Sequence, residues 1–337
     1  MLDRLQTFLD QHARILLTTH ENPDGDGIGA CLALAHYLRF LGKEPRIVVS
    51  PSVPGNLRWL DAECWIEVFD PTGPHADLAA WPDAWLLVDA SEPHRLGVMY
   101  PLFETTKAPR ACLDHHLKDA PKGFDEEFTD PAATASGELV YDLAAPRMGL
   151  PLPMPMAEAV YASLISDTGN FRFSNSTGKV HRLAAGLIEQ GVQPARSYQR
   201  IYLQDTPSKV KVWGRALERM SLLFNGAFGL MAISLADMRD CGATQDDLDE
   251  LVQQPTRLAT VEVAGLLYET EDGRIKLSLR SKEAVDVNAV CKLFGGGGHR
   301  LASGAKLDGP LQAAQARVEA AVLAQLDHDL PKISERK

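Results

Sequence analysis

The sequence predicts an α/β protein with two domains: a parallel sheet with helices on both faces, then a smaller α+β domain. Three observations support this prediction. The chain has 337 residues, of which 45% are hydrophobic and 23% charged, a length and composition that suit about two globular domains. Short apolar runs alternate with helical patterns in the first half, which is typical of strand–helix–strand units. The second half has two hairpin signals and helices separate from them.

The first domain is predicted to span residues 1–192. It begins with an amphipathic helix, and five apolar runs that follow are predicted as strands, at 14–19, 46–50, 65–70, 84–90 and 110–116. Helices are predicted at 28–42, 136–145, 156–169 and 179–191. Strands that alternate with helices lie parallel in one sheet, although the periodicity does not determine their order.

A mostly polar helical stretch at 193–222, broken near Pro207, predicts a helical linker between the domains. The second domain is predicted to span residues 223–337. Turns at Asn225-Gly226 and at 271–273 each lie between two apolar runs, which predicts two hairpins. A short helix, the glycine run Gly295–Gly298, a strand and a terminal helix complete the predicted α+β domain.

Charge and cysteine content limit the classes of ligand and compartment. The net charge of −11 lies entirely in residues 1–190, while residues 191–337 carry no net charge. Proteins that bind long nucleic acid are normally basic, so we expect a small phosphate ligand whose site is neutralised by divalent cations. Five scattered cysteines without a C-x-x-C pair favour a reducing compartment. With no recognisable signal peptide or membrane span, a cytoplasmic location is expected.

The densest polar cluster, residues 20–27, follows the first predicted strand and precedes a helix, where open α/β sheets bind ligands. Residues 25–30 also fit G-x-G-x-x-A, the fingerprint of dinucleotide-binding domains. In that interpretation Asp24 and Asp26 would lie beside a pyrophosphate with nothing to offset their charge. A metal site explains these aspartates and His20, whereas a nicotinamide site does not.

Further acidic and imidazole groups follow other predicted elements of this sheet. Asp89 ends the fourth predicted strand, Asp114-His115-His116 ends the fifth, and Asp167 lies near the end of a helix. Asp114 is able to orient a histidine ring by accepting its N–H. Carboxylate and imidazole ligands without thiolate suit Mn²⁺, Mg²⁺ or a similar divalent ion.

Taken in order, H-x-x-x-D-x-D at 20–26, Asp89, the Asp-His-His triplet and D-T-G-x-F at 167–171 resemble the DHH phosphoesterase superfamily. Residues 278–304, with the pattern G-G-G-G-H-x-x-A-x-G, resemble the DHH-associated C-terminal domain. The resemblance covers nearly the whole chain. Its length is most similar to the stand-alone oligoribonuclease / pAp-phosphatase (nano-RNase) branch.

The resemblance implies a centre of two divalent metal ions that share Asp89, with Mn²⁺ the expected metal and Mg²⁺ or Co²⁺ the alternatives. One ion would be bound by His20, Asp24 and Asp89. The second would be bound by Asp26, Asp89, His115 and Asp167. The catalytic groups would be His116, which would face the substrate phosphate, and Asp114, which would hold a neighbouring histidine.

The glycine run in the second domain has two interpretations, a tight turn or a nest of backbone N–H groups that binds a phosphate. Arg280, at the end of a predicted strand, offers a planar guanidinium for phosphate oxygens or for base stacking. The resemblance implies that this domain holds the nucleotide remote from the scissile bond. The residues expected to do so are Arg280, Ser281, Gly296, Gly297, Gly298 and His299.

These features predict metal-dependent hydrolysis of very short single-stranded oligoribonucleotides, of 3′-phosphoadenosine 5′-phosphate (pAp), or of both, to mononucleotides. Long duplex nucleic acid and membranes are not expected as partners, and a homodimer is compatible with the sequence. One alternative is a phosphodiesterase for cyclic dinucleotides or their linear products. Another is a catalytically inactive nucleotide-binding regulator, although such a protein would not need the complete set of metal ligands.

Overall fold

The computed structural model describes residues 1–116 and 123–330, which form two compact units that divide between Gln204 and Asp205. This boundary lies inside the stretch predicted as a linker. One helix of that stretch, Pro194–Tyr202, belongs to the first unit, and the other, Pro207–Glu218, belongs to the second. Each packs on its own unit, through the buried Ile201 and Val212 respectively. The structure therefore divides the predicted linker between the two units.

The first unit contains six strands and seven α-helices among its described residues, with 3₁₀ turns between some of them. The strands are β1 (Arg14–Thr18), β2 (Glu44–Val49), β3 (Ile66–Val68), β4 (Ala84–Val88), β5 (Arg110–Asp114) and β6 (Glu126–Thr129). The helices are α1 (Leu2–Gln11), α2 (Gly25–Phe40), α3 (Tyr100–Thr105), α4 (Ser136–Met148), α5 (Met154–Asp167), α6 (Gly178–Glu189) and α7 (Pro194–Tyr202).

The six strands form one parallel sheet in the order β3-β2-β1-β4-β5-β6. Side chains alternate between its faces, as strand geometry requires. Ile15 and Leu17 of β1 belong to a core shared with α1, α2, α4 and α5, whereas Leu16 packs with residues of α3 and the 3₁₀ turns on the opposite face. Both faces are therefore covered, as predicted.

The strand order changes direction between β1 and β4, because β2 and β3 extend the sheet on one side and β5 and β6 on the other. Ligands of open α/β sheets bind at the carboxyl ends of the strands at such a switch point. Residues that directly follow β1, β4 and β5 therefore meet at one edge of the sheet.

The second unit contains a six-stranded, mostly antiparallel sheet. Its strands are β7 (Ser221–Leu223), β8 (Phe228–Ile233), β9 (Val263–Glu269), β10 (Ile275–Ser281), β11 (Gly297–His299) and β12 (Ala302–Leu307), in the order β11-β12-β10-β9-β8-β7. Its helices are α8 (Pro207–Glu218), α9 (Leu235–Cys241), α10 (Val287–Lys292) and α11 (Leu311–Asp329). Among the described strands of this sheet, only β8 and β9 pair in parallel.

One face of this second sheet packs against α10 and α11, through Leu277 and Leu279 of β10 and Val318 of α11. The opposite face packs against α8 and α9 over β8 and β9, as the buried Met231 and Leu266 show. The two predicted hairpins correspond to the antiparallel pairs β7–β8 and β9–β10.

Four of the described strands and α-helices lay outside the sequence prediction: α3, β6, α9 and β11. The strand β6 was missed because the sequence Glu-Glu-Phe-Thr has only one apolar side chain, Phe128, which is fully buried. The helix α9 was missed although Ser234 and Asp237 form a capping box at its start. In the parts of the chain that the structure describes, no helix is both long and apolar enough to cross a lipid bilayer.

Candidate metal centre

The carboxyl edge of the first sheet holds a compact cluster of aspartates and histidines. His20 follows β1, Asp24 caps the start of α2, Asp89 follows β4, and His115 and His116 follow β5. Asp26 lies in the first turn of α2, and Asp167 is the last residue of α5. Asp114, the last residue of β5, lies beside them. The structure therefore brings together all eight residues that the sequence predicted for metal binding and catalysis.

Asp89 is the centre of the cluster, because its two carboxylate oxygens face different histidines. Its Oδ2 lies 3.6 Å from the Nε2 of His20, and its Oδ1 lies 3.6 Å from the Nε2 of His115. The Asp89 backbone is left-handed, with φ of 63°, a conformation that aspartate tolerates better than most residues. Its backbone N–H donates to the carbonyl of Leu113, which ties β4 to β5 at this point.

The first group of candidate ligands consists of His20, Asp24 and Asp89. The Nδ1 of His20 lies 3.0 Å from the carbonyl oxygen of Glu21, which only accepts, so Nδ1 carries the proton and Nε2 presents a lone pair. Asp24 accepts from the N–H groups of Asp26 and Gly27 through Oδ1. Its Oδ2 lies 3.8 Å from the Nε2 of His20, so the remaining oxygen and the lone pair converge.

The second group surrounds the Nε2 of His115. This atom lies 3.4 Å from Asp26 Oδ2, 3.6 Å from Asp89 Oδ1 and 3.3 Å from Asp167 Oδ2. It is buried, and within the described residues it has no hydrogen-bond partner. A buried imidazole nitrogen without a partner, with three carboxylate oxygens around it, is the environment expected at a metal position.

Asp26 is held in place by donors that the sequence did not suggest. It is fully buried, and its Oδ2 and Oδ1 accept from the backbone N–H groups of Ser136 and Gly137, at 2.7 and 3.0 Å. The hydroxyl of Ser163 also donates to Oδ1. The Oγ of Ser136 donates to Asp89 Oδ1 at 3.2 Å. A serine at the first position of a predicted helix was the one available signal for Ser136.

The electrostatics of this cluster favour cations. Burial and the carboxylates of Asp89, Asp167 and Asp24 raise the pKa of Asp26 well above its usual value. Burial, with Asp89 and Asp24, likewise raises the pKa of Asp167 to about 6, although His115 acts in the opposite direction. So many carboxylates do not stay ionised together in a buried site unless positive charge is present. Divalent cations would supply that charge, so the residues fit a metal site.

Burial lowers the pKa of His115, but its interactions with the Asp89 and Asp167 carboxylates outweigh burial and raise this pKa to about 9. The pKa of His20 is also raised, because Asp89 and Asp24 outweigh the effect of burial. Protons and metal ions therefore compete for the same Nε2 lone pairs.

Asp114 and His116 form a separate hydrogen-bonded pair beside the cluster. The Nδ1 of His116 donates to Asp114 Oδ1 at 2.7 Å, and the backbone N–H groups of His115 and His116 donate to the same oxygen. Although burial raises the pKa of Asp114, these bonds to His116 lower it overall, so Asp114 is a carboxylate. The ring of His116 is partly exposed, and its Nε2 remains available to a ligand.

The predicted substrate-binding residues lie at one end of the second sheet. Arg280 of β10 pairs with Ala302 of β12, which in turn pairs with His299 of β11. Residues directly opposite in adjacent strands share a face, so Arg280 and His299 lie on the same face. Arg280 is half-buried, and in the described chain its guanidinium has only the carbonyl of Leu279 as a hydrogen-bond partner.

Two of the predictions for this region differ from the structure. Ser281 lies on the opposite face from Arg280, where its hydroxyl donates to Glu262 and accepts from the N–H of Val285. The N–H of Gly296 donates to the carbonyl of Cys291 and so closes α10, which removes it from the predicted phosphate nest. Gly297 and Gly298 belong to β11 at the exposed edge of the sheet.

Comparisons with known proteins identify two families and several relatives. Residues 14–164 match the DHH family, N-terminal domain, and residues 231–325 match the DHHA1 domain. A Thermus thermophilus protein named bifunctional oligoribonuclease and PAP phosphatase NrnA is 34% identical, over 93% of this chain and 90% of its own length.

Among solved structures, an exopolyphosphatase-related protein from Bacteroides fragilis superposes with a TM-score of 0.88 at 24% identity, covering 96% of this chain and 95% of its own. The exonuclease RecJ bound to manganese has the same fold, with a TM-score of 0.56 at 17% identity, covering 95% and 94%.

Proposed function

The chain belongs to the DHH phosphoesterase family and also has a DHHA1 domain, and from this premise we propose that it hydrolyses phosphoester bonds in very short oligoribonucleotides and in pAp. The products would be mononucleotides and, from pAp, inorganic phosphate as well. The observation that carries the proposal is the position of Asp89, whose two oxygens face His20 and His115. A carboxylate in that position suits a bridge between two cations.

Two divalent cations at this position would act as Lewis acids on the phosphate and activate a water molecule for attack. The residues that would hold them are His20, Asp24 and Asp89 on one side and Asp26, Asp89, His115 and Asp167 on the other. Mn²⁺ is the metal that we propose for this mixture of imidazole and carboxylate donors, with Mg²⁺ or Co²⁺ as alternatives.

His116 is the group of this chain that we assign to the substrate phosphate. Its Nδ1–H donates to Asp114, so the ring is fixed and its Nε2 is directed to other partners. A positioned imidazole is able to stabilise negative charge that develops on phosphate oxygens, or to transfer a proton to the leaving oxygen. Asp114 orients this ring and does not itself contact the substrate.

Arg280 and His299 are proposed to hold the nucleotide remote from the scissile bond. A half-buried guanidinium without a carboxylate partner is unfavourable unless an anion or an aromatic base supplies one. The second half of the chain carries no net charge, whereas proteins that bind long nucleic acid are normally basic. Short substrates therefore fit the charge distribution, and the five free cysteines favour a cytoplasmic enzyme.

A product time course tests this proposal. The protein is incubated in Mn²⁺ with di- to pentaribonucleotides, pAp, a cyclic dinucleotide and a 20-mer, and the products are separated by chromatography. We expect mononucleotides from the short substrates and phosphate release from pAp, with much slower turnover of the 20-mer. Preferential turnover of the cyclic dinucleotide would support the alternative phosphodiesterase. Binding without any turnover would support the regulator.

A further inference from the structure

The loop that follows Asp167 carries an exposed aromatic side chain near the candidate metal centre. Phe173 lies in this loop and is 49% exposed, although phenylalanine is normally a buried residue. Asp167 ends α5, and its Oδ2 lies 3.3 Å from the Nε2 of His115. Five residues therefore separate this exposed ring from a candidate metal ligand.

Hydrogen bonds fold the loop back onto the end of α5. The backbone N–H groups of Arg172 and Phe173 both donate to the carbonyl of Thr168, at 2.9 and 3.0 Å. The side-chain amide of Asn175 donates to the carbonyl of Asp167 itself, at 3.1 Å. The position of Phe173 is therefore tied to the residue that contributes the candidate ligand.

The backbone is left-handed at three successive residues of this loop. Gly169, Asn170 and Phe171 have φ of 54°, 58° and 61°. A left-handed phenylalanine is a genuine outlier, and strained backbone of this kind clusters at active sites and ligand clamps. The turn separates the two aromatic rings, because Phe171 packs on the hydrophobic core of the first unit whereas Phe173 stays at the surface.

One face of the Phe173 ring rests on Gly169. A Cβ at Gly169 would lie between 2.4 and 2.7 Å from three adjacent ring atoms, Cε1, Cζ and Cε2. Nearly equal distances to adjacent atoms mean that the glycine meets the face of the ring and not its edge. Because half of the side chain is exposed, the opposite face is the one open to a ligand.

Arg172 adds a positive charge beside the ring. Its Nε donates to the carbonyl of Gly169 at 2.7 Å, and its guanidinium carbon lies 5.9 Å from the centre of the Phe173 ring. Within residues 1–116 and 123–330, the other N–H groups of this guanidinium have no hydrogen-bond partner. An aromatic ring beside a cation is the combination with which proteins bind the unpaired bases of single-stranded nucleic acid.

We propose that Phe173 is a stacking platform for the nucleobase of the nucleotide whose phosphate is bound at the metal centre. The inference rests on the proposed function and identifies the part of the substrate that this loop contacts. Gly169 follows Asp167 by two residues, so their Cα atoms lie within about 7 Å of each other. Only the sugar separates a base from its phosphate, so a base joined to a phosphate at the centre reaches this loop. Every base has an aromatic face, and the platform therefore requires a base without selecting which one.

The test compares kcat/KM of wild type and Phe173→Leu on three diribonucleotides, one with both bases and two in which one base or the other is replaced by hydrogen. Leucine keeps an apolar side chain but removes the aromatic face. We expect a fall of about 5- to 50-fold on the complete dinucleotide, as for a lost base–aromatic contact. The loss should shrink to less than about 2-fold on one abasic dinucleotide, which lacks the stacked base, and persist on the other.

Two further variants serve as controls. Phe173→Tyr keeps the aromatic face and should retain most of kcat/KM on the complete dinucleotide. Phe40→Leu is the matched control, since Phe40 is 54% exposed on the same unit but ends α2, about 21 Å along the helix from Asp26. It should behave like wild type on all three substrates. Bound Mn²⁺ should be the same in every variant, which separates stacking from damage to the metal centre.

An equal loss on all three dinucleotides, or no loss on any, would overturn the platform, as would a Phe173→Tyr variant no better than Phe173→Leu. If wild type hydrolyses no short substrate, the proposed function is wrong, and the platform is decided by calorimetric titration of the Mn²⁺-loaded protein with AMP and with ribose 5-phosphate. Wild type must then bind AMP at least about 3-fold more tightly than ribose 5-phosphate, and Phe173→Leu must lose this preference. Any other result, including no binding of AMP, would overturn the platform.

Discussion

The hydroxyl of Ser136 lies 3.2 Å from the Oδ1 of Asp89, so the first residue of α4 donates to the carboxylate that faces two histidines. The backbone N–H of the same serine donates to Asp26 at 2.7 Å. One residue therefore holds two carboxylates of the second group of candidate ligands. Donors that hold the side chains around a metal orient its ligands and tune the affinity for the metal.

We predict that Ser136→Ala weakens metal binding by about 10-fold, because Asp89 loses a donor while the backbone bond to Asp26 remains. The measurement is the Mn²⁺ concentration that gives half-maximal activity. At saturating Mn²⁺ the variant should recover most of its kcat. A loss of activity that no concentration of Mn²⁺ restores would instead point to a damaged fold.

Asp89→Asn should be the most damaging single change at the centre. Because its oxygens face both His20 and His115, we expect kcat/KM to fall by more than about 100-fold and the bound metal content to decrease at both positions. Asp24→Asn is the matched comparison, since His20 is the one described histidine within ion-pair distance of Asp24. An Asp24→Asn variant that is as inactive as Asp89→Asn would argue against a bridging role.

The pair of Asp114 and His116 should affect turnover without affecting metal content. His116→Gln removes the imidazole, and we expect kcat to fall by about 100- to 10,000-fold, the range for loss of a positioned acid–base group. Asp114→Asn should also lower kcat, because an amide favours the wrong tautomer of His116. Metal analysis of the purified His116→Gln variant provides the check. Loss of a bound ion from that variant would make His116 a ligand.

Arg280→Ala and His299→Ala should each lower kcat/KM on dinucleotides. The expected loss corresponds to about 1–3 kcal/mol of transition-state stabilisation, the value of a lost charge-assisted contact. A minimal aryl phosphodiester, which lacks the remote nucleotide, should be hydrolysed at nearly the wild-type rate by both variants. Ser281→Ala is the matched control, because its hydroxyl is already bonded to Glu262 on the opposite face. Equal losses on both substrates, with the fold intact, would show that this end of the sheet has another role.

The sequence predicted that the candidate site residues meet at one edge of the sheet, because each lies near the end of an apolar strand or at a helix end. Asp89 after Ala84–Val88 and Asp114 after a buried run are examples. The assignment of the site residues to two metal ions came from the family resemblance and stays a prediction. Parallel strands meet at one edge, so the chemistry of that edge follows from the strand ends alone. The order of the strands could not be predicted from the sequence, because it depends on tertiary packing and not on the periodicity of apolar residues.

The hydrogen-bond donors that hold Asp26 and Asp89 could not be predicted from the sequence in the same way. Ser163 is in the middle of α5 and Ser136 lies 110 positions from Asp26, so no local spacing connects either serine to the site. By contrast, it was predictable that Ser281 faces away from Arg280, because adjacent residues of a strand point to opposite faces of the sheet. The glycine run was predicted to form a tight turn or a phosphate-binding nest. Instead it continues into an edge strand, because Gly296 and Gly298 approach the backbone of β12 closely.

The central claim, that Asp89 is shared by two cations needed for hydrolysis, is tested most directly by metal titration of chelated protein. Activity on a dinucleotide and bound Mn²⁺ are measured together as Mn²⁺ is added back. We expect no hydrolysis after chelation, full recovery only as binding approaches two ions per chain, and neither recovery nor two-ion binding in Asp89→Asn. Full activity in the chelated protein, or full activity with one ion bound, would contradict the account.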